Sequence, residues 1–271
     1  MKRLKNIKML VTDLDRTLLG NDDKLISEYS ANIFNKCMTD GIKVVFATAR
    51  PKRVTTQFLK YIPADAVILH NGAVIYIGGQ KIFQCGISPN ATKNILYSIN
   101  RDFPESTLSV EIDDVLYTNF DAKFDVSTAN WDYTILSKLH EFIPGKPAEK
   151  IIVGLRSVNM MTENPEIVIK CFEKYINDDL YVEINSERFL FIMNRNAKKS
   201  SAVKMLADYY GYNISEVTAF GDDYNDVEMI KECGIGVAVA NAIDEAKAAA
   251  DYICESNDNN GVAKWIERNI L

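Results

Sequence analysis

Two carboxylates, Asp13 and Asp15, close the apolar run that leads into VTDLDRTLL, and a second acidic group, Gly221-Asp222-Asp223-Tyr224-Asn225-Asp226, closes VTAF near residue 220. Clustered carboxylates raise one another's pKa, so a site built from them needs a compensating cation. Hard oxygen donors with open positions suit Mg²⁺, which keeps waters and binds one or two carboxylates together with substrate phosphate. One carboxylate in line with phosphorus can act as a nucleophile and form an aspartyl phosphate. The other can protonate the leaving alkoxide and then deprotonate the attacking water. A phosphoryl group brings more negative charge, which Lys198 or Lys199 would offset as a point charge. Thr48 and neighbouring backbone N–H groups would supply neutral donors.

The elements that must carry these residues follow from hydrophobic spacing. Lys8 to Thr12, Ile42 to Thr48, Ala66 to Leu69, Val217 to Phe220 and Ile235 to Val239 read as buried strands. Between them lie helical patterns at Ser27 to Asp40, from Pro51 through PKRVTTQFLKYI, from Lys199 to Tyr210, from Asp226 to Cys233, and in the tail KWIERNIL. Strands alternating with helices imply a Rossmann-like parallel sheet with helices on both faces, an α/β fold. In such a sheet, ligands bind at the carboxyl ends of strands, where Asp13, Thr48 and Asp222 all fall. Asp226 begins a helix, where it would cap the backbone or face the same point.

The rhythm breaks after VIYIGGQKIF, a hairpin turning at Gly78 and Gly79. From about residue 86 to 190, helices mix with antiparallel pairs such as LSVEIDDVLYTN and LYVEINSERFLFIMN. We therefore expect a core domain of residues 1–85 and 191–271 and an inserted α+β cap domain of residues 86–190. A chain of 271 residues with 47% hydrophobic content buries at least one full core.

Charge excludes some partners. The net charge is −6, and the 31 Lys and Arg form no stripe able to neutralise consecutive phosphates, which argues against nucleic acid. The apolar part of MKRLKNIKMLVTDLD is short for a signal peptide, and no run approaches 18 apolar residues, so no membrane partner is expected. Five scattered cysteines, without a CxxC pair, fit core positions in a reducing cytoplasm. Gly234-Ile235-Gly236 is not a dinucleotide fingerprint, because it precedes a strand where the fingerprint follows one. His70 reads as a hydrogen-bonded loop residue, His140 as a solvated position in a helical pattern, and Trp131 with nearby Tyr133 as packing for the insert.

Asp13-Leu14-Asp15-Arg16-Thr17-Leu18, Thr48, the Lys199 region and GDDYND, in this order, resemble the four motifs of the haloacid dehalogenase (HAD) superfamily of phosphatases. Asn71-Gly72-Ala73, Lys199-Ser200-Ser201-Ala202-Val203, the segment 236–242 and Ser256-Asn257-Asp258 before Gly261-Val262-Ala263 resemble its Cof-like branch, which carries a large α/β cap between the second and third motifs. The resemblance implies a Mg²⁺-dependent phosphatase of a small phosphorylated metabolite, such as a sugar phosphate, with the insert as a lid. It implies Asp13 as nucleophile and metal ligand, Asp15 as general acid/base and ligand through its carbonyl, and Asp222 as the remaining protein ligand. Phosphate contacts would come from the Leu14 backbone, Thr48, Ala49, Asn225 and Lys199, and Arg50 would sit near the substrate. Asp226 would orient Lys199 or metal-bound water. A phosphotransferase or mutase, or a non-catalytic sensor of a phosphorylated ligand, are the alternatives, and the state expected is a monomer or weak homo-oligomer. Glu163, Arg156 and Arg188 are candidates for substrate selection. Arg16 stands where the family commonly has Gly, so either that turn does not require positive φ or its backbone is strained, and its side chain would bring a charge to the site mouth. Ala49, Ala240 and Ser200 likewise replace common glycines.

Overall fold

The computed structural model describes residues 6–21, 25–122, 132–161, 163–185 and 188–271, which fall into two compact units, 1–84 with 198–271, and 85–197. In the first unit the strands are β1 (Met9–Thr12), β2 (Lys43–Ala47), β3 (Ala66–Leu69), β4 (Val74–Ile77), β5 (Gln80–Gln84), β12 (Val217–Gly221), β13 (Ile235–Val239) and β14 (Tyr252–Cys254). They form one sheet in the order β14-β13-β12-β1-β2-β3-β4-β5. From β14 through β3 every pairing is parallel, and the hairpin β4–β5 extends that sheet antiparallel at one edge. The central strand β1 is buried along its whole length, as a strand covered on both faces must be.

Helices α1 (Glu28–Thr39), α2 (Lys52–Thr55), α5 (Lys199–Tyr210), α6 (Tyr224–Glu232), α7 (Asp244–Ala249) and α8 (Gly261–Asn269) cover the two faces. Met9, Val11, Val45, Ala219 and Ile68 share a core with Val203, Leu206 and Met229 of α5 and α6. The residues between them on the strands face the other way, where the Phe220 ring meets Trp265 of α8 edge-on at 5.4 Å. Ser27 caps α1 by accepting from the Ser30 N–H, and Gly211 ends α5 with a φ of 71°. The segment opened by Pro51 is helical for a single turn and then tightens into a 3-10 turn at Thr56–Lys60.

The second unit holds β6 (Leu108–Ile112), β7 (Val115–Thr118), β8 (Tyr133–Ile135), β9 (Lys150–Gly154), β10 (Leu180–Asn185) and β11 (Phe189–Asn194), with helices α3 (Pro89–Asp102) and α4 (Pro165–Glu173). Its sheet order is β10-β11-β9-β6-β7-β8, antiparallel except for β7 with β8. Asp113 and Asp114, with φ of 50° and 67°, make the two-residue turn between β6 and β7. One face of this sheet, through Val110, Ile112, Ile151, Leu190 and Ile192, builds a core with Leu96 and Ile99 of α3 and Phe172 of α4.

Cys85 and residues 191–197, which the sequence assigned to the core domain, fall in the second unit, and for 191–194 the reason is that β11 is paired on both sides by β10 and β9. His140 lies in a 3-10 turn, not a longer helix, with its Nε2 3.7 Å from Glu141. Trp131 lies outside the described residues; Tyr133 donates its hydroxyl to Asp121. Arg156, Glu163 and Arg188 are exposed on the second unit. Among the described residues no helix is long and apolar enough to cross a membrane.

Candidate active site

The parallel register brings the chemistry together. Thr12 pairs with Phe46 on one side and Phe220 on the other, so β2, β1 and β12 end in line and release Thr48, Asp13 and Asp222 at one edge of the sheet. The Asp13 N–H still bonds to the Phe220 carbonyl at 3.0 Å, which fixes the nucleophile candidate to the last rung of the ladder. Asp13, Asp222 and Asp226 are all buried and offer carboxylate oxygens within 4.8 Å of one another.

Lys199 holds this cluster. Its ammonium is 2.7 Å from Asp13 Oδ1 and 2.7 Å from Asp226 Oδ1, with the lysine side chain only 1% exposed. The adjacent Lys198 turns the other way and pairs with Glu228 at 2.6 Å. Which lysine reaches the acids is decided by helix phase: Lys199 opens α5 on its buried side, beside Ala202 and Val203. Burial works against the Lys199 charge, but Asp13 and Asp226 outweigh it and hold the group above its ordinary pKa. Burial pushes Asp13 well above the usual carboxylate range; Lys199 opposes this, and Asp226, Asp222 and Asp15 add to it. Among the described residues, Asp13 Oδ2 accepts no hydrogen bond.

Asp226 is fully buried and fully occupied. Its Oδ1 takes Lys199, while Oδ2 accepts from the backbone N–H groups of Asp222 at 3.0 Å and Asp223 at 3.3 Å. With Asp223 it forms a capping box at the start of α6. Gly221 makes room for it, since a Cβ there would lie 2.4 Å from the Asp226 side chain. Asp222 accepts from the Thr17 hydroxyl at 2.7 Å through Oδ1, and its Oδ2 lies 3.8 Å from Arg16 Nε. Burial and the Asp226 charge push Asp222 up to about 7, against the opposing pull of Thr17 and Arg16.

Asp15 projects differently. In the tight loop 14–18 it is extended while Arg16 adopts φ 59°, ψ 3°, so the strained of the two backbones expected at Arg16 is the one found. The Asp15 side chain is 52% exposed and is gripped from both oxygens by Arg50, with Nε to Oδ2 at 2.7 Å and Nη2 to Oδ1. Arg50 lies over the Phe58 ring, 5.3 Å from its centroid, and its N–H donates to the Thr48 hydroxyl at 3.2 Å. The sequence placed Arg50 near the substrate and gave no sign of this pairing, because the two residues lie in different loops.

Thr48 is buried and follows β2 directly, its N–H bonded to the Ile68 carbonyl at 2.9 Å; Ala49 is half-buried beside it. Leu14 is fully buried, and its carbonyl accepts from the Leu19 N–H at 2.8 Å. Asn225 donates Nδ2 to Asn71 Oδ1 at 2.9 Å. Asn71 itself is buried, has a φ of 57°, and donates its N–H to the Thr48 carbonyl at 3.1 Å. Thr17 and Asn71 were absent from the expected site residues, although both stand inside stretches quoted for the family resemblance. His70 is buried in the same turn, with its N–H on the Arg50 carbonyl at 3.2 Å.

Three buried carboxylates against one buried ammonium leave a surplus of negative charge in a set of hard oxygen donors. That donor set fits a small hard dication such as Mg²⁺. Asp13 and Asp222 keep oxygens for such an ion, whereas those of Asp226 are spent on Lys199 and the α6 backbone.

The sequence that carries these strand-end acids and the helix-start lysine matches a known family. The family model for haloacid dehalogenase-like hydrolases matches residues 10–266, and the chain belongs to that family of enzymes. Among curated relatives, it is 28% identical to a phosphoglycolate phosphatase of Methanobrevibacter smithii, covering 98% of this chain and 100% of that one. It is 24% identical to a 5-amino-6-(5-phospho-D-ribitylamino)uracil phosphatase of Bacillus subtilis, with 96% of each chain covered. A crystal structure from Thermotoga maritima superposes with a TM-score of 0.82 at 29% identity, over 99% of this chain and 97% of that one.

Proposed function

We propose that this hydrolase is a Mg²⁺-dependent phosphatase that cleaves a small phosphorylated metabolite, a sugar phosphate or similar, through an aspartyl phosphate on Asp13. The observation that carries the reading is the state of Asp13: buried, anchored through Oδ1 by Lys199, and with Oδ2 accepting no hydrogen bond among the described residues. A carboxylate held in this way presents one oriented nucleophilic oxygen. The relatives named above are phosphatases of small metabolites, which supports the substrate class.

Asp13 Oδ2 attacks phosphorus, and the ester oxygen leaves as an alcohol by taking a proton from Asp15. A water then attacks phosphorus of the aspartyl phosphate, gives its proton to Asp15, and releases inorganic phosphate with Asp13 restored. Asp15 is suited to both proton steps because it is half exposed to water and Arg50 fixes the orientation of its carboxylate. Each of its oxygens keeps a further lone pair for the transferred proton. Asp226 steers Lys199 onto Asp13, and Thr17 orients Asp222. Mg²⁺, held by Asp13, Asp222 and the Asp15 carbonyl, would supply positive charge to offset the phosphoryl oxygens. Thr48, Ala49, the Leu14 backbone and Asn225 are the proposed phosphate contacts.

The test is turnover of an aryl phosphate and of a metabolite panel, with and without Mg²⁺, by the wild type and Asp13→Asn. The variant is expected to lose at least about a thousandfold in kcat while remaining folded. Retained turnover in the variant sinks the nucleophile assignment. Ligand binding without Mg²⁺-dependent turnover in the wild type points to a sensor, and transfer to an added sugar alcohol points to a phosphotransferase.

A further inference from the structure

Among the described residues, Arg16 is the one cation besides Lys199 within ion-pair distance of the cluster Asp13, Asp222 and Asp226, and its backbone is unusual. A non-glycine residue at φ 59° carries a conformational cost, and here the conformation is locked from outside the loop. Asn241 Nδ2 donates to the Arg16 carbonyl at 2.8 Å, and Asn241 Oδ1 in turn accepts from the Asn257 N–H at 3.0 Å. The Asn257 side chain then returns to the same loop, donating to the Leu19 carbonyl at 2.9 Å. The peptide after Arg16 is therefore clamped, and the side chain is launched toward Asp222. The guanidinium ends with Nε 3.8 Å from Asp222 Oδ2 and Nη2 3.4 Å from the Asn241 carbonyl.

Asp222 has few ways to turn from this neighbour. Its Oδ1 is fixed by the Thr17 hydroxyl at 2.7 Å and its N–H by Asp226, so Oδ2 is the oxygen presented to Arg16. A divalent ion using Asp222 must share that carboxylate with a guanidinium. The two cations are attracted to the same group and repel each other across it.

We propose that Arg16 is a resident competitor for Asp222 that sets the site's affinity for the divalent cation, making it weaker than the three carboxylates alone would make it. The proposal rests on the reading of the acidic cluster as a Mg²⁺ site. Arg16 is a positioning and tuning residue here, since it acts through Asp222. Its side chain is 56% exposed, so solvent screens much of the repulsion and the effect is moderate.

Calorimetric titration of the full chain with Mg²⁺ alone tests this, using Arg16→Gln, Arg16→Lys and a charge control, Lys198→Gln, whose side chain pairs with Glu228 and not with the acidic cluster. Gln keeps the stem as far as Cδ, a polar nitrogen at the position of Nε and the clamped backbone but removes the charge, and is expected to bind Mg²⁺ roughly three- to tenfold more tightly than the wild type. Lys keeps the charge and is expected to stay within about twofold of the wild type. Lys198→Gln makes the same change in net charge at a side chain paired with Glu228, and is also expected to stay within about twofold. Equal or weaker binding by Arg16→Gln overturns the proposal while leaving the metal site standing. An equal gain in Lys198→Gln overturns it as well, because net charge would then explain the effect. No Mg²⁺ binding by the folded wild type removes the metal site and this proposal with it. Thermal melts of each variant without added metal confirm that the fold compared is the same.

Discussion

At the residue scale, the acidic cluster is organised by differences among chemically identical groups. Asp226 spends every oxygen on structure, Asp13 keeps one, and Asp15 stands half in solvent under the control of Arg50. The raised pKa values have a consequence for pH. Asp222 is pushed from an ordinary 3.8 to about 7 by burial and Asp226, so between about pH 4 and 7 the folded, metal-free protein holds protons that the unfolded chain has lost. Stability without metal is therefore greatest at the acid end of that window and falls as pH rises through 7, provided other groups change little. A dication needs the ionised carboxylates, so its binding displaces those protons. Mg²⁺ is expected to bind about tenfold more tightly for a one-unit rise in pH below 7, if one proton is released, with little further gain above about pH 8. Calorimetry at pH 6, 7 and 8 in buffers of different ionisation enthalpy measures both the affinity and the proton release; a pH-independent affinity would contradict the burial argument.

At the level of elements, the central strands were legible because their sequence combines two signals, a largely apolar run without charge and an acid directly after its carboxyl end. Met9–Thr12 before Asp13 and Val217–Gly221 before Asp222 show both. Helix α7 and strand β14 were missed, since DEAKAA and YIC are too short to display a period, and Tyr252 and Ile253 on β14 are exposed. The domain boundary expected at 190/191 cuts through β11, although LYVEINSERFLFIMN reads as one antiparallel pair, because an apolar strand looks alike whichever sheet receives it; its ladder with β9 and β10 decides. Pairs such as Arg50 with Asp15 and Asn71 with Asn225 cannot be seen in one dimension, since each joins loops whose proximity is a product of the fold. The junction of β12 and α6 offers a test of how tightly an element places a side chain. Gly221→Ala would set a methyl 2.4 Å from the Asp226 side chain, forcing α6 or Asp226 to move. The expected cost is about 1–3 kcal/mol in denaturant unfolding. Activity should fall further than in a distant variant of equal stability, because Lys199 would lose its second carboxylate.

For the whole molecule, the cysteines report on global integrity. Burial is the main cause that pushes the Cys37, Cys233 and Cys254 thiols up to about 12, and the three are buried side chains of the first unit. Their reaction with an aromatic disulfide at pH 8 is expected to be slow in the folded state and to become fast in denaturant, since the thiolate is the reactive species. The rate of labelling then follows opening of the first unit, and rapid modification of all three in native buffer would show that this unit opens readily.

The broken order of the first unit along the chain bears on how it is made. Strand β1 lies between β2, which is encoded early, and β12, which follows the entire 85–197 segment. During synthesis, Asp13 emerges long before Lys199, Asp222 and the Asp226 that steers the lysine. The segment 85–197 is continuous and can complete its own sheet as it leaves the ribosome, whereas β1 must wait as an unpaired edge on one side. Translation speed past residue 197 thus governs how long an apolar strand stays open to wrong partners, and a pause there would lengthen the period in which chaperones have something to hold.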